Sequence, residues 1–258
     1  MNCGVSFLWP YISDELVHEL YQKSYFTGVD ADGKLAAPGS SSDYESEFAA
    51  ARLEKFAETV QLLTRYAPHA RTVLDIGAAT GEFLAIASRS GLETTGIEIS
   101  RYAAERAKQK YGLTIHETTL EDYRSNGTFD LIHLSHVFEH FRAPHQALER
   151  IDALLAPDGA VYVEVPFQFN MPERVKFRLT GARKAFDVFS IHHPVFYDPA
   201  TLRRVFGDHG FVSRHLRVFA WSRYPATGMR GQLKRLLWFG ASLLGQGLFV
   251  EAVFTKQR

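Results

Sequence analysis

The sequence is poor in thiols: among 258 residues only Cys3 is a cysteine. That excludes an internal disulfide framework and any zinc site built on several thiolates, and it fits a reducing, cytoplasmic compartment. Long apolar runs are lacking too. The nearest to a membrane span, Leu236 to Val250, is too short and carries three glycines and a glutamine. No basic-apolar-small pattern opens the chain, so a secretory leader is not expected. There is no internal repeat, and Ser40-Ser41-Ser42 is the only low-complexity tract. Acidic residues are absent between Asp208 and Glu251, where Arg214, Arg217, Arg223, Arg230, Lys234 and Arg235 all fall. The formal net charge is zero, but residues 1–173 carry −11 and residues 174–258 carry +11. The neutral total argues against wholesale nucleic-acid binding, and no DNA partner is expected. The cationic half either packs on the acidic half or serves an anionic small molecule or a membrane surface.

What is present is core material: 46% of residues are hydrophobic and 13% aromatic, enough for one large domain. A short helix is expected over 13–24, capped by Ser13, and a longer one from Asp43 or Ser46 to about Tyr66, ended by Pro68. The pattern then alternates. Strands are expected at 72–76, 93–99, 113–116, 129–135 and 160–165. Helices are expected at 82–90, 100–110 and 146–155. Such alternation means a parallel sheet with helices on both faces. Residues 167–195 interrupt it and are aromatic and basic. A helix follows from Asp198-Pro199 to about His209, then β-like segments at 211–219 and 248–255, with a helical pattern at 229–244 between them.

The informative stretch is Asp75-Ile76-Gly77-Ala78-Ala79-Thr80-Gly81, which follows a strand and opens a helix. Ligands sit at such a place in open α/β sheets. Gly77 and Gly81 let backbone approach a ligand closely. Glu98 ends the next strand 23 residues after Asp75, where an acid can accept both hydroxyls of a ribose. A dinucleotide site needs G-x-G-x-x-G, but the spacing here is G-x-x-x-G, and Asp75 would repel a pyrophosphate. A carboxylate there suits a ligand with a cationic amino end.

At these residues the sequence resembles the class I S-adenosylmethionine-dependent methyltransferases, closely over about 45–165. Their first motif, D/E-x-G-x-G-x-G, is matched from Asp75 to Gly81, with Ala79 in place of the middle glycine. Glu98 matches the ribose-binding acid and Ile99 the residue packed on adenine. Thr118-Thr119-Leu120-Glu121-Asp122 matches the loop at the adenine edge, with Thr119 replacing the usual aspartate. Phe129 to His136 and Leu155-Ala156-Pro157-Asp158-Gly159 match two later motifs. Within that superfamily, Val137 to His140 and His193 to Phe211 are similar to the small-molecule, ubiquinone-type O-methyltransferase branch. The resemblance implies an α/β, Rossmann-like fold: a seven-stranded sheet of order 3-2-1-4-5-7-6, the last strand antiparallel, with helices on both faces. It implies S-adenosyl-L-methionine as cofactor, bound by Asp75, Gly77, Ala78, Ala79, Gly81, Phe83, Glu98, Ile99, Thr119, Leu120, Ser135 and His136. Tyr44 and Arg52 are candidates for its carboxylate. The chain divides into an N-terminal helical cover (1–66), a cofactor-binding core (67–166), a lid insertion (167–197) and a C-terminal part of the same domain (198–258) with a helical insertion at 220–247.

A hydroxyl acceptor needs a base, or a metal that lowers its pKa. His136-Val137-Phe138-Glu139-His140 is the densest cluster. Read literally it is the H-x-x-E-H string of zinc proteases, but it follows a strand directly, and Pro144 comes four residues later. Ubiquinone-type enzymes carry an acid, two spacers and Glu-His here and can use Mg²⁺; His136 replaces that acid, so no metal is expected. Three readings stay open: weak metal assistance, a base at His136 or His140, or a Glu-His pair that only ties down the loop. His193 is the third candidate base, and His192 beside it a substrate ligand. Arg178 and Arg183, among the lid's basic and aromatic residues, are candidates for an anionic acceptor. The helix at 229–244 either buries its apolar face or rests it on a membrane. The expected activity is methyl transfer to a small-molecule hydroxyl of a sugar, lipid-linked or secondary-metabolite substrate. The alternatives are an RNA or protein methyltransferase, or a non-catalytic partner subunit of the same fold. The acceptor and the oligomeric state are not written in the sequence.

Overall fold

Runs such as Thr72–Ile76 and Phe129–Ser135 are apolar on both faces, as a strand requires when helices cover both sides of a parallel sheet. The structure, a computed structural model, describes residues 4–11, 13, 16, 25–26, 49–180, 193–220 and 228–257. In chain order these form β1 (Ser6–Phe7), α1 (Ala49–Tyr66), β2 (Thr72–Ile76), α2 (Glu82–Arg89), β3 (Glu93–Glu98) and α3 (Arg101–Tyr111). Then come β4 (Ile115–Glu117), β5 (Phe129–Ser135), a 3₁₀ turn (Phe138–His140), α4 (Pro144–Leu154) and β6 (Leu155–Pro166). Last are α5 (Met171–Thr180), β7 (Val195–Phe196), α6 (Pro199–Gly207), β8 (Phe211–Phe219), α7 (Gly228–Leu243) and β9 (Phe249–Lys256).

Seven strands share one sheet in the order β4-β3-β2-β5-β6-β9-β8, which is the expected 3-2-1-4-5-7-6. β2 runs parallel to β3 and β5, β3 runs parallel to β4, and β9 is antiparallel to β8. The described residues fall into two compact units. One holds 4–11, 135–145 and those from Val163 onward; the other holds those from 13 to 134 and Gln146–Tyr162.

In the second unit, Val73, Leu74, Leu131, Ile132 and Leu134 are fully buried, each such side chain stabilising by about 1.5–3 kcal/mol relative to exposure. Helix α2 closes on the sheet because Gly96 has no side chain: a Cβ there would lie 2.7 Å from Leu84 Cδ1 and 3.0 Å from Ala78 Cβ. Ser100 caps α3 by accepting the Ala103 N–H, and Gly112 ends it in the left-handed region (φ 70°). In the first unit an aromatic core carries the 3₁₀ turn. Phe138 packs on Tyr197 and Phe206, and Phe206 stacks on Phe254 at 4.0 Å. Asp198 and Thr201 form a capping box for α6, with Pro199 in its first turn.

Three features differ from expectation. β6 begins at Leu155, not Ala160, so Pro157-Asp158-Gly159 lies inside the strand rather than before it. Gly159 is required there, since a Cβ would lie 2.8 Å from the Asp130 carbonyl oxygen. The stretch expected as a lid contains α5 and also β7, which pairs antiparallel with β1 (Ser6 with Phe196, Phe7 with Val195). The apolar stripe of α7 faces outward: Leu233, Leu236, Leu237, Phe239 and Leu243 are 57–73% exposed, against the reading in which the helix buries its apolar face. Among the described residues no helix is long and apolar enough to cross a membrane.

One anchor joins the starts of β2 and β5. Asp130 Oδ2 accepts the N–H groups of Arg71 (2.7 Å) and Thr72 (3.0 Å) and the Thr72 hydroxyl (3.1 Å). Burial works to raise its pKa, but these donors outweigh it and hold the carboxyl below the usual range. Asp130→Ala is therefore expected to cost about 1–3 kcal/mol in urea unfolding. The carboxylate's contribution is present above the ordinary aspartate pKa of about 3.9 and lost as pH falls through the lower folded value. A loss under about 0.3 kcal/mol at pH 7 would show that the anchor is idle.

Candidate functional site

The turn after β2 is built by left-handed residues. Gly77 has φ 73°, Gly81 φ 83° and Ala79 φ 45°. Only glycine adopts such angles freely, so Ala79 is held there against its own preference. What holds it is Glu98, whose Oε2 accepts the Ala79 N–H (2.9 Å) and whose Oε1 accepts the Ser100 N–H (2.9 Å). Gly77 and Ala78 both donate to the Ile97 carbonyl (2.9 and 3.0 Å), locking the turn to β3. Gly81 is also forced by packing: a Cβ would lie 2.9 Å from Ala107 Cβ.

Asp75 and Glu98 are buried carboxylates, 3% and 7% exposed. Burial pushes both pKa values up. The N–H bonds of Ser100, Ala79 and Ile99 pull Glu98 back in part, and the charge of Asp75 pushes it up again. Asp75 is offset by His133, whose Nδ1 lies 2.7 Å from Asp75 Oδ1. The His133 ring is clamped between Phe83 (3.6 Å, 8° between planes) and Tyr162 (5.2 Å, 13°). Two desolvated acids at the carboxyl ends of adjacent strands favour a ligand carrying positive charge and hydroxyl donors. They disfavour a pyrophosphate.

The other unit holds a second cluster. Strand β5 ends at Ser135, and His136 follows in a left-handed conformation (φ 57°), its N–H donated to the Glu164 carbonyl at 2.9 Å. His136 Nε2 lies 3.1 Å from Glu164 Oε1, and its Nδ1 lies 3.6 Å from Glu139 Oε1. Burial opposes charge on His136, but Glu139 and Glu164 more than offset this and raise its pKa to about 9. Burial likewise works to raise Glu139, but His136, His140 and His193 draw it down to about 2. Glu139 is 1% exposed, and its oxygens accept no hydrogen bond among the described residues. His140 Nε2 and His193 Nε2 each lie 3.9 Å from Glu139 Oε1, and the two rings meet edge to face at 4.8 Å. The Gln168 side-chain amide lies 2.8 Å from His193 Nδ1. One ligand atom from each of Glu139, His140 and His193 falls within 4.8 Å of the others.

The expected residues divide accordingly. Asp75, Gly77, Ala78, Ala79, Gly81, Glu98 and Ile99 gather around the first turn. Thr118 N–H donates to the Glu98 carbonyl at 3.1 Å and brings Thr119 and Leu120 after it. Thr119 is spent locally on Asp122 (3.1 Å), and Leu120 is buried. Phe83 is 1% exposed and stacks on His133. Arg52 lies 3.6 Å from Glu82, a buried acid that also takes the Thr80 hydroxyl at 2.7 Å. Ser135, His136, His140 and His193 belong to the second cluster, and Arg178 is exposed on α5. Tyr44, Arg183 and His192 lie outside the described residues. Sequence reasoning missed His133, Glu164 and Gln168. The available signal was a polar residue inside an otherwise apolar strand, as in Ile132-His133-Leu134 and Val163-Glu164-Val165. It also expected no metal, yet the chain return at His193 completes a donor set of two imidazoles and a carboxylate.

Comparison with known proteins agrees with this layout. A family model described as a methyltransferase domain matches residues 47–216. A ubiquinone biosynthesis O-methyltransferase of Haemophilus ducreyi is 35% identical over 104 residues, 36% of this chain and 44% of that protein. The chain thus spans less than half the length of that relative. The C-methyltransferase NovU of Streptomyces niveus is 28% identical over 143 residues, 54% of this chain and 32% of that protein. Among solved structures, magnesium protoporphyrin IX methyltransferase of Synechocystis with bound SAH covers 95% of this chain and is itself fully covered, at TM-score 0.63 and 12% identity. The plantazolicin methyltransferase BpumL with SAH covers 92%, with 93% of its own chain, at TM-score 0.58 and 15% identity. Both share the fold.

The His136 charge gives a pH signature. Its stabilisation is fully present below the unfolded histidine pKa of about 6.5 and is lost as pH rises through about 9. Glu139 supplies the opposite limb, present above about 4.5 and lost as pH falls towards about 2. By calorimetry in EDTA, the melting-temperature gap between the unchanged protein and His136→Gln should be widest near pH 5–6 and narrow from about 6.5 to 9. A gap independent of pH would mean that His136 is neutral.

Proposed function

The chain belongs to the methyltransferase-domain family, and from that premise we propose that it transfers a methyl group from S-adenosyl-L-methionine to a hydroxyl oxygen of a small molecule. The observation that carries this reading is the Glu98 carboxylate, buried at the end of β3 and already bonded to the turn at Ala79. The donor set fits this cofactor. Glu98 has lone-pair capacity beyond that used by the Ala79, Ser100 and Ile99 N–H groups, so it can accept from a ribose hydroxyl. Asp75 and Glu98 supply negative charge for an ammonium and a sulfonium, and Gly77 and Gly81 leave room for close approach. When bound, the cofactor supplies a methyl group already activated by its sulfonium.

The chain's remaining task is to position the acceptor and take its proton. His136 is unsuited to accept one, being held protonated at neutral pH by Glu139 and Glu164. His193 lies 3.9 Å from Glu139 through Nε2 and meets the Gln168 amide through Nδ1, so both of its ring nitrogens have neighbours. We take His140, also 3.9 Å from Glu139, as the candidate base. A 240 Å³ cavity in the same unit is lined by Phe167, Phe169, Phe196, Tyr197 and Arg174. Ser6, Asp198, Thr201 and Gln246 line it too, and aromatic walls with one guanidinium, one carboxylate and hydrogen-bonding groups suit a small, partly apolar acceptor with polar substituents. Arg174 joins Arg178 and Arg183 as candidate contacts. The names of the relatives support a small-molecule acceptor over RNA or protein, and the intact Asp75, Gly77, Gly81 and Glu98 support an active enzyme over a silent partner subunit.

A second reading is favoured by one observation, the Glu139–His140–His193 donor set. Two imidazoles and a carboxylate suit Zn²⁺, Fe²⁺ or Mn²⁺; Mg²⁺ prefers oxygen donors alone and fits poorly. Such an ion would lower the acceptor's pKa in place of a free base.

Glu98→Ala should weaken S-adenosylmethionine binding by about 1.5–3 kcal/mol in calorimetry. Affinity should also fall with decreasing pH, beginning above the ordinary glutamate value of about 4.3, because burial raises both acids and protonation removes their charge. An affinity within twofold of the unchanged protein would remove Glu98 from the site. With the acceptor in hand, identified by a metabolite screen using labelled methyl donor, His140→Ala should lower kcat by roughly 10²-fold, with EDTA harmless. Activity lost in EDTA and restored by Zn²⁺ or Mn²⁺ would decide for the metal.

A further inference from the structure

We propose that α5 and α7 form a docking surface for an anionic lipid bilayer. On α7, Met229, Leu233, Leu236, Leu237 and Leu243 recur at helical spacing and, with Leu244 just beyond it, are 57–85% exposed. On α5, Met171, Val175 and Leu179 stand one turn apart and are 46–80% exposed. The two helices border one groove of 530 Å³, bounded by Val175, Leu179, Ala241 and Leu244, and the Met171 N–H donates to Gln246 Oε1 at 2.8 Å beside it. Monomers rarely leave so continuous an apolar patch in water.

Charge selects the occupant. No acidic residue lies between Asp208 and Glu251 in the sequence, so α7 carries Arg230, Lys234 and Arg235 and no acid of its own, with Arg235 exposed. On α5 the one acid, Glu173, is turned inward at 1% exposure and paired with Lys176 at 3.5 Å, while Arg174 and Arg178 are exposed. Apolar side chains flanked only by cations are the pattern of a helix lying in a lipid interface, its leucines in the acyl boundary and its cations at anionic headgroups. A second copy would bring the same positive charges against this face. A nucleic acid would use the cations but leave the leucines in water. Neither helix is long and apolar enough to span, so the contact is peripheral.

The test uses the full chain without methyl donor, so it stands apart from the reading of the active site. The protein should float with phosphatidylcholine vesicles containing about 30 mol% phosphatidylglycerol and not with phosphatidylcholine alone. Raising NaCl from about 0.1 to about 0.5 M should lower the bound fraction several-fold. Leu236→Asp with Leu237→Asp should lower binding at least tenfold with an unchanged melting temperature, both side chains being exposed. Arg235→Glu should lower it with the apolar face intact. The proposal is overturned if the protein does not float, or if both variants bind as the unchanged protein does. It is overturned equally if light scattering shows a dimer that the Leu236/Leu237 variant dissociates without any vesicle binding.

Discussion

A carboxylate removed from water must find donors or positive charge, and the way Glu98 meets that demand shapes its unit. Its two oxygens tie the turn after β2 to the cap of α3, and in doing so keep Ala79 in a conformation that alanine avoids. The geometry of the turn is thus held by the chain's own hydrogen bonds. The acid proposed to meet the ribose is also the one that holds the loop, so in that reading ligand contact and loop geometry share a single side chain.

The same demand is met differently at Glu139. Glu98 and Asp75 lie among neutral N–H groups and one imidazole, and burial leaves their pKa values high. Glu139 faces three imidazoles and is drawn low, while it and Glu164 keep His136 charged. One unit thus holds two buried acids whose charged forms a cationic ligand would favour. The other holds a compensated network in which a proton or a metal ion has defined places to go.

The parallel strands were legible because each is a short apolar run ending in a turn residue, and the first motif was legible because its glycines and acids are close in sequence. Glycine at 77 and 81 permits the left-handed angles found there. The partners of the buried acids were not legible. His133 meets Asp75 across 58 residues, and His193 meets Glu139 across 54, separations at which no local spacing rule operates. The α7 stripe shows a different limit. Periodicity reports that one side of a helix is apolar but not whether protein, lipid or water lies against it. Strand β1 gave no signal, since two residues have no period.

The pairing of Ser6–Phe7 with Val195–Phe196 sets a timetable for synthesis. The partners are separated by about 190 residues of chain, and closing so long a loop carries entropy that only the finished core around Tyr197 and Phe206 can offset. At about 5–20 residues per second the first strand waits roughly 10–40 s on the ribosome before its partner is made. During that interval the segment with Phe7, Leu8 and Trp9 lacks its partner strand and stands as an unpaired apolar edge.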